Sequence, residues 1–181
     1  SGNTQITGLN GDGIALLSLA NGGGNGDAIS NGAQVSVLRN NIDGNYETDT
    51  DNGDGANGDG VLVSGNITGA TTFLQVSSND IQGYNNGVHV FGNVNNATVQ
   101  VNNNSSISAG NIGVWFQGAL NNALAIVNGN SQITASEGVV FGGDVNGGFV
   151  QVSENNDGIF AWNDGIAFYG NNGSLVTDGH E

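Results

Sequence analysis

Residues 79–104 read NDIQGYNNGVHVFGNVNNATVQVNNN, and this stretch decides the fold. Within it, short runs have an apolar residue at every second position, and glycine and asparagine separate the runs. Alternation with a period of two is typical of a β-strand that buries one face, whereas Gly and Asn favour tight turns. One unit of this length therefore contains several short strands joined by sharp corners.

The unit recurs along the chain. Ile81, Ile107, Ile133 and Ile159 are each 26 residues apart. A glycine followed by an apolar alternation comes after each of them, and a V-x-V-x-x-N pattern or a close relative follows. Strands this short cannot bury a face alone, so repeated units must stack on one another. The sequence predicts an all-β, parallel β-helix, a β-solenoid: one domain over residues 1–181, about six coils of about 26 residues, and three short strands per coil.

Two further columns of residues accompany the apolar ladders. A glycine precedes the second strand of each coil, where we expect a corner with positive φ. An asparagine lies three residues after the last inward valine, and its tolerance of the left-handed region suits it to that turn. We expect the stacked amides to hydrogen-bond from coil to coil. The glycines are Gly13, Gly60, Gly87, Gly113, Gly138 and Gly165, and the asparagines are Asn40, Asn79, Asn104, Asn130 and Asn155.

The units at 79–104 and 129–155, the second reading GNSQITASEGVVFGGDVNGGFVQVSEN, resemble right-handed parallel β-helix repeats of the pectate-lyase-like superfamily. They most resemble the non-catalytic, Asn/Gly-rich repeats of bacterial cell-surface and autotransporter-type proteins. The resemblance covers essentially the whole chain. It implies the fold strongly, and it implies function only as an extracellular or cell-surface bacterial module.

The regular spacing is interrupted at two corners, which predicts insertions at about 19–31 and about 45–58. The second insertion contains DTDNGDGANGDG at 49–60. Its carboxylates do not match the spacing of an EF-hand, and the segment lacks the closing glutamate. A calcium site of another geometry, formed by Glu47, Asp49, Asp51, Asp54 and Asp59, and a solvated acidic loop without metal are both open interpretations.

An apolar stripe lies on strand positions that should face outwards. It includes Leu62, His89, Phe91, Trp115 and Tyr169, and His89 is expected to be a surface residue. Phe160 and Trp162 form a second outward aromatic pair. Exposed apolar strips are unusual on a solvated sheet. Three interpretations are open: a loop covers the stripe, another protein chain docks on it, or its aromatic rings bind sugars.

Composition excludes several functions. Lys and Arg total one, against 16 Asp and Glu, for a formal charge of −15. Such a chain disfavours nucleic acid and anionic membranes as partners, and no apolar run is long enough for membrane insertion. Scattered carboxylates and a single arginine argue against an enzyme.

We therefore expect a structural surface module that self-associates or contacts surface proteins or glycans. A carbohydrate-binding or polysaccharide-active β-helix is the alternative. Whether the chain is a piece of a longer solenoid or a stacking subunit stays open.

Overall fold

The computed structural model describes residues 6–7, 12–18, 26–44 and 56–171, without the side chains of residues 6, 7, 56 and 57. Over these ranges the chain is all-β, and its parallel strands stack into a β-solenoid with coils about 26 residues apart. The predicted fold class is confirmed. The described ranges complete about four turns rather than six, since the first two coils and the last are described only in part.

Three parallel sheets, named here sheets A, B and C, form the walls of the solenoid. Within the described ranges, the strands of sheet A are β1 (Ile6–Thr7), β2 (Ile14–Leu17), β5 (Asn41–Asp43), β6 (Ala56–Ser64), β9 (Asp80–Val90), β12 (Ser106–Phe116), β15 (Ile133–Ala135), β16 (Glu137–Phe141), β19 (Ile159–Ala161) and β20 (Ile166–Phe168). Those of sheet B are β3 (Asp27–Ile29), β7 (Asn66–Thr68), β10 (Val94–Asn95), β13 (Leu120–Asn121) and β17 (Val145–Asn146). Those of sheet C are β4 (Gln34–Leu38), β8 (Phe73–Ser77), β11 (Thr98–Asn102), β14 (Leu124–Asn128) and β18 (Phe149–Ser153).

The division of each coil into strands differs from the expectation. The predicted first and second strands belong to one sheet, and in β9 and β12 they form one continuous strand with an irregular register near Ala109. Sheet B is the wall that sequence reasoning missed. Its strands are two or three residues long and bury one residue each, which is too short for an alternating pattern to be recognised.

Like residues stack on like in the core. Ile81 pairs with Ile107 and Ile107 with Ile133, and all three are fully buried. Phe116, Phe141 and Phe168 form a stack with centroid separations of 5.1 and 4.7 Å. Each buried aliphatic or aromatic side chain contributes about 1.5–3 kcal/mol. Ile166 continues the inward row of Val114 and Val139 but is 46% exposed, since β20 is the last described strand of sheet A.

The glycine column serves a different purpose from the one expected. None of its six members has a positive φ. Each of the first five instead lies against the next coil. A Cβ at Gly113 would lie 2.5 Å from Cγ2 of Ile133 and 2.6 Å from the carbonyl oxygen of Gly138. These positions require glycine because the coils approach too closely for any side chain.

Both predicted insertions are shorter than expected. Asp27–Ile29 is β3, which pairs with β7 and directs Ile29 into the core, so an insertion in the first coil is restricted to residues before it. Ala56 begins β6 and pairs with Tyr84. The strand therefore begins two residues before the predicted end of the insertion at about 58, ahead of the glycine of the column, Gly60. Residues 19–25 and 45–55 lie outside the described ranges.

Over the same ranges, no helix meets the length and hydropathy needed to cross a membrane.

Candidate functional site

The asparagine column joins consecutive coils through buried amides. Nδ2 of Asn104 donates to Oδ1 of Asn130 at 2.8 Å and to the carbonyl oxygen of Val76 at 3.1 Å. Oδ1 of Asn104 in turn accepts from the backbone N–H and from Nδ2 of Asn79, at 2.9 and 3.1 Å. Asn40 and Asn155 continue the same pattern at either end. The ladder therefore joins five successive coils by bonds that are buried, except that those to Asn155 are partly buried.

The left-handed residue at this corner is not the ladder asparagine, as expected, but its predecessor. Arg39, Ser78, Asn103, Gly129 and Glu154 have φ between 52° and 63°. A left-handed residue at this point reverses the chain and directs the following amide into the solenoid. The expectation failed because the left-handed residue is of a different type in each of the five coils, so no column of one residue type marks it in the sequence.

A second amide ladder lies where sheet B meets sheet C. Nδ2 of Asn121 donates to Oδ1 of Asn95 at 2.7 Å, and Nδ2 of Asn146 donates to Oδ1 of Asn121 at 2.9 Å. Sequence reasoning did not identify it. The signal was present as the repeated V/L-N at 94–95, 120–121 and 145–146.

The outward stripe is organised around His89. Parallel pairing places Leu62 and Trp115 beside His89 on adjacent strands. Nδ1 of His89 lies 2.8 Å from Oδ2 of Asp59, and Nε2 lies 2.9 Å from Oε1 of Gln117. The indole of Trp115 stacks on the imidazole with a centroid distance of 4.3 Å and an interplanar angle of 7°. Four side chains from three coils thus form one network, here called the His89 network.

His89 was expected at the surface, and this expectation was wrong, since its side chain is only 7% exposed. The position does face outwards by register, but neighbouring side chains cover it. Farther along sheet A, Ile112, Val140 and Ala167 form a small buried cluster, and Trp115 packs against it. The chain itself therefore covers part of the stripe.

The contacts within the His89 network occupy the polar side-chain atoms that a catalytic reaction would need. Oδ1 of Asp59 accepts from Nδ2 of Asn86 at 2.8 Å, while Oδ2 faces His89. Both nitrogens of His89 face an oxygen within hydrogen-bonding distance. A general base needs a ring nitrogen within reach of a substrate proton. The arrangement is instead suited to holding three coils in register.

The predicted metal ligands are not brought together in the described ranges. Glu47, Asp49, Asp51 and Asp54 lie outside those ranges, and Asp59 is engaged by Asn86 and His89. Among the described side chains, no group of three or more His, Asp or Glu is placed to hold a metal ion.

The remaining aromatic residues of the stripe and the second aromatic pair are exposed. Phe91 makes an edge contact with His89 at a centroid distance of 5.9 Å. Phe160 and Trp162 are 54% and 76% exposed in and just after β19. The hydroxyl of Tyr169 donates to Oε2 of Glu137 at 3.0 Å, and this bond raises the pKa of the Tyr169 phenol above its usual 10.0. These rings point into solvent at separate places along sheet A.

Comparisons with protein-family models, curated proteins and solved structures found no match.

Proposed function

We propose that the chain is a stiff, acidic structural segment of an extracellular bacterial surface protein such as an adhesin, an autotransporter passenger or a filament. The observation that carries the proposal is the buried ladder from Asn40 to Asn155, which links each coil to the next. Relationship to the non-catalytic repeats of the pectate-lyase-like superfamily forms part of the proposal and rests on the sequence resemblance.

Charge supports the same role. A formal charge of −15 makes neighbouring rods repel one another and weakens contact with nucleic acid or anionic lipid. Arg39 is the single Lys or Arg in the chain, so proteases that cleave after basic residues have one site in the entire sequence. Both properties suit a protein exposed outside the cell. The partners that fit best are surface proteins, glycans or further copies of the rod.

Single-molecule stretching from the two ends tests the structural role. Coils that are linked mainly to their neighbours should peel in steps of about 26 residues. Each step should add roughly 90 Å of extended chain. Asn104→Ala should lower the force of these steps, whereas Asn103→Gly, which copies Gly129 of the next coil, should leave it unchanged. Extension at low force without steps, or equal forces in both variants, would contradict the proposal that the asparagine ladder resists the separation of the coils.

Carbohydrate contact through exposed rings is the second candidate. Trp162 and Phe160 favour it, because a flat exposed ring can stack on the apolar face of a sugar. Binding is favoured over cleavage, since both nitrogens of His89 are occupied. A glycan array with wild type and Trp162→Ser tests this candidate. Equal signals from the two proteins would remove it.

A further inference from the structure

A shallow groove of about 510 Å³ runs along the corner between sheets B and C. It is lined by turns from four successive coils, beginning at Ala70 and ending at Phe149. Coils stacked at strand spacing are about 4.8 Å apart, so the groove extends roughly 14 Å along the solenoid. A groove of this shape accepts an extended ligand rather than a compact one.

The floor and the walls of the groove differ in chemistry. Ala97 and Ala123 are buried and form an apolar floor. Phe149, which is 37% exposed, and Leu124 provide apolar wall surface. Thr98 adds a hydroxyl. Binding sites for small molecules commonly combine mostly apolar walls with a few polar groups that fix orientation.

Two exposed amides on the groove are available for a ligand. Asn96 and Asn122 adopt φ of 51° and 48°, are exposed and line the groove, each next to a residue of the ladder of Asn95 and Asn121. The ladder amides bond to one another, whereas the structure shows no intramolecular partner for the side-chain amides of Asn96 and Asn122 among the described residues. Each amide offers two N–H donors and a carbonyl acceptor, which matches the hydroxyls of a sugar.

Charge decides the class of ligand. The four turns at 67–73, 94–98, 120–124 and 145–149 contain no charged residue, although the chain carries 16 acids. A polyanion would be repelled by the field of the whole molecule, and a cation would meet no carboxylate in the groove. A ligand with hydroxyls, an apolar face and no charge fits these surfaces.

We propose that the groove between sheets B and C binds a neutral oligosaccharide, with Phe149 stacking on a sugar ring and with Asn96 and Asn122 hydrogen-bonding to its hydroxyls. This inference goes beyond the structural role and does not depend on it. The groove lies on a different face from Phe160 and Trp162, which belong to the sheet A side.

Matched variants exist within the chain itself. Asn122→Gly removes an amide while copying Gly147, which has φ of 65° at the same turn position. Phe149→Thr copies Thr98 of the same row in sheet C, since Leu124 pairs with both Thr98 and Phe149. Leu17→Ser is the control, because it removes an exposed apolar side chain of sheet A outside the groove and copies the paired residue Ser64.

The experiment measures binding of neutral hexasaccharides of glucose, mannose, galactose and xylose by calorimetry, with oligogalacturonate of equal length as the charged comparison. At least one neutral hexasaccharide should bind, oligogalacturonate should not, and added salt should have little effect. Phe149→Thr should weaken binding about tenfold and Asn122→Gly about three- to tenfold, with melting temperatures checked in parallel. Leu17→Ser should bind as wild type does.

The proposal is overturned if none of the neutral hexasaccharides binds at millimolar concentration. It is equally overturned if binding survives Phe149→Thr and Asn122→Gly, or if Leu17→Ser abolishes it. The stretching experiment is unaffected by any of these results, so failure of the groove and failure of the structural role are distinguishable.

Discussion

Nδ1 of His89 lies 2.8 Å from Oδ2 of Asp59, and the two residues belong to adjacent coils. Both side chains are largely shielded from water. Removing one partner of a buried pair leaves the other without compensation, which costs more than removing both. Because of this difference, comparing single and double substitutions of Asp59 and His89 tests whether the His89 network stabilises the fold.

We expect His89→Leu, which copies Leu62 in the same row, to lower the free energy of unfolding by about 2–4 kcal/mol. Asp59 would then stay buried without its imidazole partner. Adding Asp59→Asn, which copies Asn86, should recover part of the loss. Urea denaturation of the wild type, both single variants and the double variant measures the coupling. Strictly additive losses would show that the two side chains do not act together.

The asparagine ladder should be sensitive at its centre. Asn104→Ala removes an acceptor for Asn79 and donors to Val76 and Asn130, all in a dry environment. We expect a loss of about 3–5 kcal/mol in unfolding free energy, because several buried polar groups lose partners at once.

The matched control for the ladder is the adjacent residue. Asn103 has φ of 53°, and Gly129 occupies that position in the next coil. Asn103→Gly should therefore change stability by about 0.5 kcal/mol or less. If both variants melted alike, the buried amide would not be the source of the stability.

The glycine column predicts opposite effects at two equivalent positions. A Cβ at Gly113 would collide with Ile133 and with the backbone of Gly138, so Gly113→Ala should destabilise by about 1–3 kcal/mol or more. At Gly165 no described atom lies within 4 Å of the added carbon, and φ is not positive. Gly165→Ala should be neutral or stabilising by up to about 1 kcal/mol, because it restricts the unfolded chain. Thermal melting compares them, and equal losses would refute the steric explanation.

The Tyr169 phenol should lose its proton at a higher pH than an ordinary tyrosine. Its hydrogen bond to Glu137 favours the protonated phenol and raises its pKa above 10.0 in the folded state. The stabilising effect of this bond is therefore fully present below pH 10.0 and is lost as the pH rises through the folded-state pKa. Phenolate absorbance during an alkaline titration measures the shift, and Tyr169→Phe assigns the signal.

Glu137→Gln provides the complementary measurement for Tyr169. It removes the carboxylate that accepts the bond, so the Tyr169 component should move to lower pH. Superimposable titration curves for wild type and Glu137→Gln would show that the bond does not form in solution.

The repeat could be read from the sequence because stacking imposes a spacing on it. Ile81 and Ile107 must be one coil apart to lie above each other, so their separation reveals both the fold and the inward face. The asparagine column follows from the same periodicity. Sheet B was missed because its strands bury one residue each and show no alternation, although Val94 and Leu120 keep the same spacing of 26 residues.

The sequence by itself determined the coil length, the parallel stacking, the core ladders and the acidic surface, since each depends on spacing or composition. Only the tertiary structure decided what each special residue does. Gly113 is required by the close approach of the next coil rather than by its φ angle. His89 is buried because Asp59, Trp115 and Gln117 from neighbouring coils surround it. Contacts between coils join residues about 26 positions apart, and periodicity shows which residues meet without showing which atoms touch.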